Sequence, residues 1–292
     1  MDISMTLPTM VAHTRDDTLR WCREVDEGPW PSLAIPERVT YPSHHYAVEL
    51  AAAAALTERV RLWTTIVILP AHDEVEVAKQ MASVDVLSNG RLTVGVGVGG
   101  REHDYLAING RFDHRWQRMD EQVARMRRIW AGEPPFEGAA PVGPPPVQPG
   151  GPPIAAGVMG PKAIRRAAEW AYGVDGAWTM DGDLQHMKTS YEVINAAWAD
   201  AGRTDRPHLS TSIWYALGDG AEERLRSYAY EYMKVMGEEV GQWAASAVNC
   251  FTPEALRQAI ANAAEAGADE FFLVPTTADA DELARTRDAL GL

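Results

Sequence analysis

Short apolar runs rich in β-branched residues alternate along this chain with longer stretches in which apolar positions recur at three- and four-residue intervals. The first pattern is that of a buried strand, the second that of a helix with one face turned to a core. Ile3–Leu7, Ser32–Ile35, Arg61–Leu69 and Arg91–Val98 are predicted as strands. Helices are predicted over Arg15–Glu27, over a segment that includes Val48–Leu56 with Ser43 as its N-cap, and over Val75–Leu87. Further strands are predicted at Ile154–Gly157, Gly176–Thr179, Leu209–Leu217 and Phe271–Pro275. Each has a helix after it: Pro161–Tyr172, Leu184–Ala201, Ala221–Met236 and Ala280–Leu290.

Two stretches exceed the alternation. After the fourth strand, Gly99–Arg111 reads as a loop, Asp113–Trp130 as a helix, and Gly132–Pro152 as a Pro/Gly-rich segment. The last piece is too long for an ordinary connection; a solvated polyproline-type linker and a cover over an active face both remain open. Glu238–Ala266 adds helical material before the last strand. Eight strands, each followed by a helix, predict an α/β fold, the (β/α)8 TIM barrel, with an insertion after strand 4 and extra helical material before strand 8. At 292 residues the whole chain, 1–292, is expected to be a single domain.

The densest signal is LSNGRLTVGVGVGG, Leu87–Gly100. Ser88-Asn89-Gly90 reads as a turn in which Gly90 can take positive φ. Gly95, Gly97 and Gly100 match GxGxxG, but that fingerprint needs a helix opening on the last glycine, and Gly95 falls inside the predicted strand. Small residues here let a strand pack inside a crowded barrel, or leave bare backbone against which a flat molecule can lie; the sequence allows both.

The same stretch carries a family resemblance. Asp85-Val86-Leu87-Ser88-Asn89-Gly90-Arg91 feeding a Gly-rich strand is one of its motifs, with Leu69-Pro70-Ala71-His72-Asp73 and Ala78-Lys79-Gln80 upstream. Downstream are Arg118-Met119-Asp120-Glu121, Arg128-Ile129-Trp130, Pro152–Gly157 and Gly160-Pro161-Lys162-Ala163. In this order and spacing they resemble the luciferase-like flavin oxidoreductases, most strongly from Leu50 to Ala177. The resemblance implies a non-covalently held flavin-type cofactor. One version is a reduced-FMN-dependent monooxygenase acting on a small organic substrate, with a separate flavin reductase as partner. The alternative is a hydride-transfer oxidoreductase using the deazaflavin coenzyme F420 of sister families. A further alternative is a non-catalytic accessory subunit, for which the family has precedent. A homodimer is expected from the resemblance.

Barrel chemistry sits at the C-terminal ends of the strands, and the resemblance assigns several residues there. Thr65-Ile66, at the end of the third strand, would lie under the flavin ring, where members carry a non-proline cis peptide. Gly97 and Gly99 would also face the cofactor. Gly157, Met159, Gly160 and Lys162 correspond to the loop that holds the cofactor phosphate. The physical reading agrees, because a helix start presents free N–H groups and a favourable dipole to an anion. Arg118 resembles a phosphate-assisting arginine, with a surface ion pair to Asp120 or Glu121 as its alternative. Glu37-Arg38 departs from the pattern: bacterial luciferases have Glu-His there, and the histidine assists the oxygen chemistry. Arginine stays charged and cannot act as acid or base, although it can hold an anionic reduced flavin or a substrate carboxylate. His13 or His103 could stand in for the histidine. The candidate catalytic set is therefore His13, Glu37, Arg38 and His103.

Charge narrows the field. A formal net charge of −14 argues against nucleic acid and anionic membrane surfaces. It also weighs mildly against the polyglutamate tail of F420, unless a local basic patch overrides it. There is no run of about 18 apolar residues, and the Met1–Met5 start lacks a signal-peptide pattern, so a cytoplasmic protein is expected. Cys22 and Cys250 make no disulfide framework. His44-His45 are adjacent and would diverge on a helix, and Glu102-His103-Asp104 lacks a second spaced partner, so no metal site is expected. No carboxylate cluster suits a glycosidase, and no GxSxG elbow or P-loop occurs.

Overall fold

Eight parallel strands close into a barrel in sequence order. They are β1 (Asp2–Thr6), β2 (Ser32–Ile35), β3 (Arg61–Ile68), β4 (Leu92–Gly97), β5 (Ile154–Gly157), β6 (Gly173–Asp175), β7 (His208–Tyr215) and β8 (Glu270–Pro275). The barrel is closed by β1 pairing with β8, Ser4 opposite Phe272. The computed structural model describes residues 1–292. Around the barrel lie α1 (Arg15–Glu27), α2 (Tyr46–Leu56), α3 (Glu74–Leu87), α4 (Glu102–Ala107), α5 (Arg115–Trp130) and α6 (Pro161–Ala168). The ring continues through α7 (Leu184–Asp200), α8 (Ala221–Met233), α9 (Glu238–Ala247), α10 (Pro253–Ala266) and α11 (Asp281–Leu290). The predicted (β/α)8 architecture is observed, with α4 and α5 inserted after β4 and with α9 and α10 before β8.

Strand alternation divides the apolar side chains between two surfaces. Ala34, Trp63, Ala155 and Phe272 form a small buried cluster across β2, β3, β5 and β8. Their strand neighbours, such as Leu33, Leu62, Ile154 and Phe271, pack outward into the main core under the helices. Helix ends carry their own signals. Thr14 and Asp17 form a capping box on α1, Asp73 caps α3, and Gly267 ends α10 at positive φ.

The motif Asp85–Arg91 proves to be structural. Asn89 and Gly90 both take positive φ. Arg91 then donates to the carbonyls of Ala54, Thr57, Val60 and Ser88 and to Thr57 Oγ1, gathering the end of α2 and two loops. Asp85 is fully buried and accepts from the backbone amides of Val147 and Gln148 and from Gln148 Nε2. The Pro/Gly-rich segment is thereby tied down beside α3 and the first residue of β4, Leu92, whose carbonyl accepts from Gln148 Nε2. It lies toward the N-terminal end of the strands and does not cover the active face.

Three expectations are corrected. The sixth strand lies at Gly173–Asp175 and not at Gly176–Thr179, because α6 ends at Ala168 and Tyr172 already exchanges backbone bonds with Ile154 and His208. Ala177 at φ 57° cannot continue the ladder. Gly99–Arg111, expected as loop, contains α4. The α2 cap is His45, whose ring nitrogen accepts from the Ala47 amide, and not Ser43.

Candidate active site

A cavity of about 530 Å³ opens at the C-terminal ends of the strands. Its shelf is built by β3. The Thr65–Ile66 peptide is cis, as the resemblance implied, and the β3–β4 register shifts between Thr64 and Val67. Ile66 rests on two glycines: a Cβ on Gly97 would come within 2.8 Å of Ile66 Cδ1, and one on Gly157 within 2.8 Å of Cγ2. Gly95 has a similar steric reason, since a Cβ there would meet Thr64 O at 2.1 Å. Gly95 and Gly97 of the dense motif therefore serve close strand packing beneath Ile66.

Thr6, Asp175 and Ser212 contribute polar groups to the cavity lining from β1, β6 and β7. Ser210 Oγ donates to Asp175 Oδ1 at 3.2 Å. Burial pushes the Asp175 carboxyl up to about 6, the Ser210 bond opposes that rise, and the charge of Glu270 adds to it. Asp175 can thus hold or release a proton near neutral pH. Trp178, Trp214, Tyr228 and Tyr232 make an aromatic wall, with Trp178 and Trp214 edge to face at 4.9 Å between centroids.

Cationic groups adjoin this wall. Arg38, Arg101 and Arg115 all line the cavity, and the Nε atom of each makes no hydrogen bond within the protein. Arg38 donates to the Glu37 carbonyl and lies over the Tyr232 ring at 4.9 Å. Arg101 lies over the Tyr41 ring, bonds its hydroxyl and approaches Asp104 at 3.6 Å. Asp104 is buried and also accepts from Thr40. Three guanidiniums therefore face one carboxylate on this side, a local positive field in an acidic chain.

The loop after β5 completes the rim. Met159 and Gly160 line the cavity, and Gly160 precedes α6 without a side-chain cap. The amides of the first turn of α6 are therefore free for an anion. Glycine cradle, unpaired arginine donors and open helix start fit a flat ring carrying a phosphate.

The sequence-predicted residues divide. Arg38, Thr65, Ile66, Gly99, Gly157, Met159 and Gly160 line the cavity together. Gly97 lies buried beneath Ile66. Lys162 is exposed and outside the lining. Arg118 pairs with neither Asp120 nor Glu121. It donates to the carbonyls of Pro70, Arg111 and Asp113, bracing the loop ahead of α5. Glu37 lies behind the wall, where it accepts from the Ile68 amide and pairs with His72. His13 is bonded to Glu49 away from the lining, and His103 is exposed on α4. Asp175, Arg115 and the Tyr228–Tyr232 wall were missed. Asp175 was hidden by the displaced sixth strand, whereas Gly173-Val174-Asp175 before Gly176 was the available signal.

A family model described as luciferase-like monooxygenase matches residues 3–288. An uncharacterized protein of Mycobacterium tuberculosis is 31% identical over 170 residues, 56% of this chain and 58% of that protein. The chain thus matches little more than half the length of that relative. The 4-hydroxyprotoasukamycin monooxygenase of Streptomyces nodosus subsp. asukaensis is 32% identical over 117 residues, 39% of this chain and 28% of its own. The F420-dependent glucose-6-phosphate dehydrogenase of Amycolatopsis mediterranei is 28% identical over 124 residues, 40% and 32% respectively. Among solved structures, the monooxygenase RslO1 from Streptomyces bottropensis superposes with a TM-score of 0.77 at 23% identity, covering 99% of this chain and 97% of that one.

Proposed function

Because the chain belongs to the luciferase-like monooxygenase family of oxidoreductases, we propose that it binds reduced FMN and acts as a monooxygenase on a small organic substrate. The observation that carries this reading is the Ile66 shelf, bedded on Gly97 and Gly157, beside the uncapped start of α6. A ring laid on the shelf would direct its phosphate toward Met159, Gly160 and the first amides of α6. Bound reduced FMN would supply the electrons and the reactivity toward dioxygen. Arg38 would hold negative charge on the ring or on a substrate carboxylate. Trp178, Trp214 and Tyr232 would exclude water and orient an apolar substrate body. Asp175 would hold or accept a proton at its free oxygen. A separate reductase would deliver the reduced cofactor, and a homodimer would be the working unit.

A second reading is hydride transfer with coenzyme F420. The excess of cavity arginines over carboxylates favours it, since Arg38, Arg101 and Arg115 would compensate a polyanionic tail that the overall charge repels. The purified chain is titrated with FMN and with F420, each oxidised and reduced, following fluorescence. Tight binding of reduced FMN with substrate-dependent oxygen uptake supports the first reading. Binding of F420 alone overturns it for the second. Binding of neither leaves the accessory-subunit role in front.

A further inference from the structure

Outside the cavity lining, the loop after β1, the approach to α2 and the first turn of α2 bring His13, His44 and Glu49 together, with one donor atom from each within 4.8 Å of the others. We propose that His13 Nε2, His44 Nδ1 and a Glu49 carboxylate oxygen bind a divalent transition ion of the zinc type, with water as the fourth ligand.

The hydrogen bonds around His13 carry the argument. Its Nδ1 lies 3.0 Å from the Val11 carbonyl, which can only accept, so Nδ1 bears a hydrogen. Nε2 then faces Glu49 Oε1 at 2.6 Å. At that distance a proton joins the nitrogen and the carboxylate, and a metal ion would take its place. A backbone carbonyl holding the far nitrogen is also the outer support that orients a metal-bound imidazole. His44 Nδ1 stands 3.4 Å from the same carboxylate oxygen. Bonds of about 2.0–2.2 Å in a tetrahedral site put ligand atoms roughly 3.3 Å apart, so His44 Nδ1 already stands near that spacing from the carboxylate, and His13 Nε2 would open from 2.6 Å as the ion replaces the shared proton.

Accessibility is graded as such a site requires. The His13 and Glu49 side chains are 2% and 4% exposed, whereas His44 is 43% exposed and leaves a side open to water. No lysine or arginine pairs with Glu49; its ion-pair partners are the two imidazoles. Two histidines and one carboxylate with a vacant position suit zinc among divalent ions. Residue spacing hid the set: His45, next in sequence, turns away to cap α2. An ion here would tie the loop after β1, which places Thr9 in the cavity wall, to the start of α2.

The test uses the untagged, chelator-treated full chain. Co2+ is added as a spectroscopic probe and Zn2+ as its competitor, with stoichiometry from calorimetry. One ion per chain, the visible absorption of tetrahedral Co2+ and its displacement by Zn2+ are expected. His44→Ala, at a half-exposed position that leaves the fold intact by circular dichroism, should weaken binding about tenfold or more, and His13→Ala should abolish it. His186→Ala, on the exposed face of α7, should bind as the parent does. Absence of stoichiometric binding in the parent chain, or equal affinity in His44→Ala, overturns the proposal.

Discussion

Glu37 Oε1 and His72 Nε2 lie 2.6 Å apart behind the cavity wall, while Glu37 Oε2 accepts from the Ile68 amide at 2.6 Å. A carboxylate expected at the reacting centre thus fastens β2 to the end of β3, just past the shelf that Ile66 provides. Burial alone would lower the His72 pKa, but the bond to Glu37, its charge and the charge of Glu76 together outweigh burial and raise it. A raised imidazole pKa stabilises the fold fully below about 6.5, and this contribution is lost as pH rises through the folded value. Glu37→Gln removes the attraction and leaves the burial. Its His72 should titrate below the ordinary value, and its stability should no longer decline between pH 6 and pH 8 on this account. Histidine NMR titration of parent and variant reads this directly; an unchanged His72 pKa in Glu37→Gln rules the linkage out.

Asp175 has the opposite sign. Its carboxyl is pushed up to about 6, chiefly by burial, so the folded chain prefers the protonated form. Its ionisation costs stability as pH rises from about 4 through about 6. Asp175→Asn removes that cost. The variant should exceed the parent by on the order of 1 kcal/mol at pH 7, after allowance for screening at the open cavity, with the gap closing at pH 4. Denaturant melts at the two pH values decide it, and a variant less stable at pH 7 would show that the charge is compensated.

Gly157→Ala tests the shelf. The added methyl would sit 2.8 Å from Ile66 Cγ2, and Ile66 is β-branched and poorly able to rotate away. Overpacking of this kind costs about 1–3 kcal/mol. Because the displaced side chain lines the cavity, flavin-type cofactor binding should weaken about tenfold in fluorescence titration. Unaltered affinity in a stable variant would mean the ring does not rest on Ile66.

Asp85→Ala should free the Pro/Gly-rich segment. Three N–H donors lose their buried acceptor, a loss of roughly 2–3 kcal/mol. Limited proteolysis should then cut within residues 132–152 well before the barrel melts. Cleavage elsewhere first, with that segment still protected, would show that other contacts hold it.

The dense glycine motif was legible as a strand, and its chemical meaning was not. Gly95 and Gly97 are required by neighbours on β3, far from them in sequence. The site position of Asp175 is hidden in the sequence for a related reason. The apolar residues after Ala168 continue a helical pattern, and only the backbone bonds of Tyr172 with Ile154 and His208 lead the chain into β6 at Gly173.

Local periodicity reports which face of each element is buried, so the sequence by itself determined the eightfold alternation, the barrel and the strand-end positions of Ile66 and of the loop after β5. It could not report which side chains meet across loops. Only the tertiary structure decided that Glu37 pairs with His72, that His13 joins Glu49 and His44, and that three arginines converge on one cavity. Those relationships are set by barrel closure, which joins strand ends distant in sequence and leaves no periodic trace in the chain.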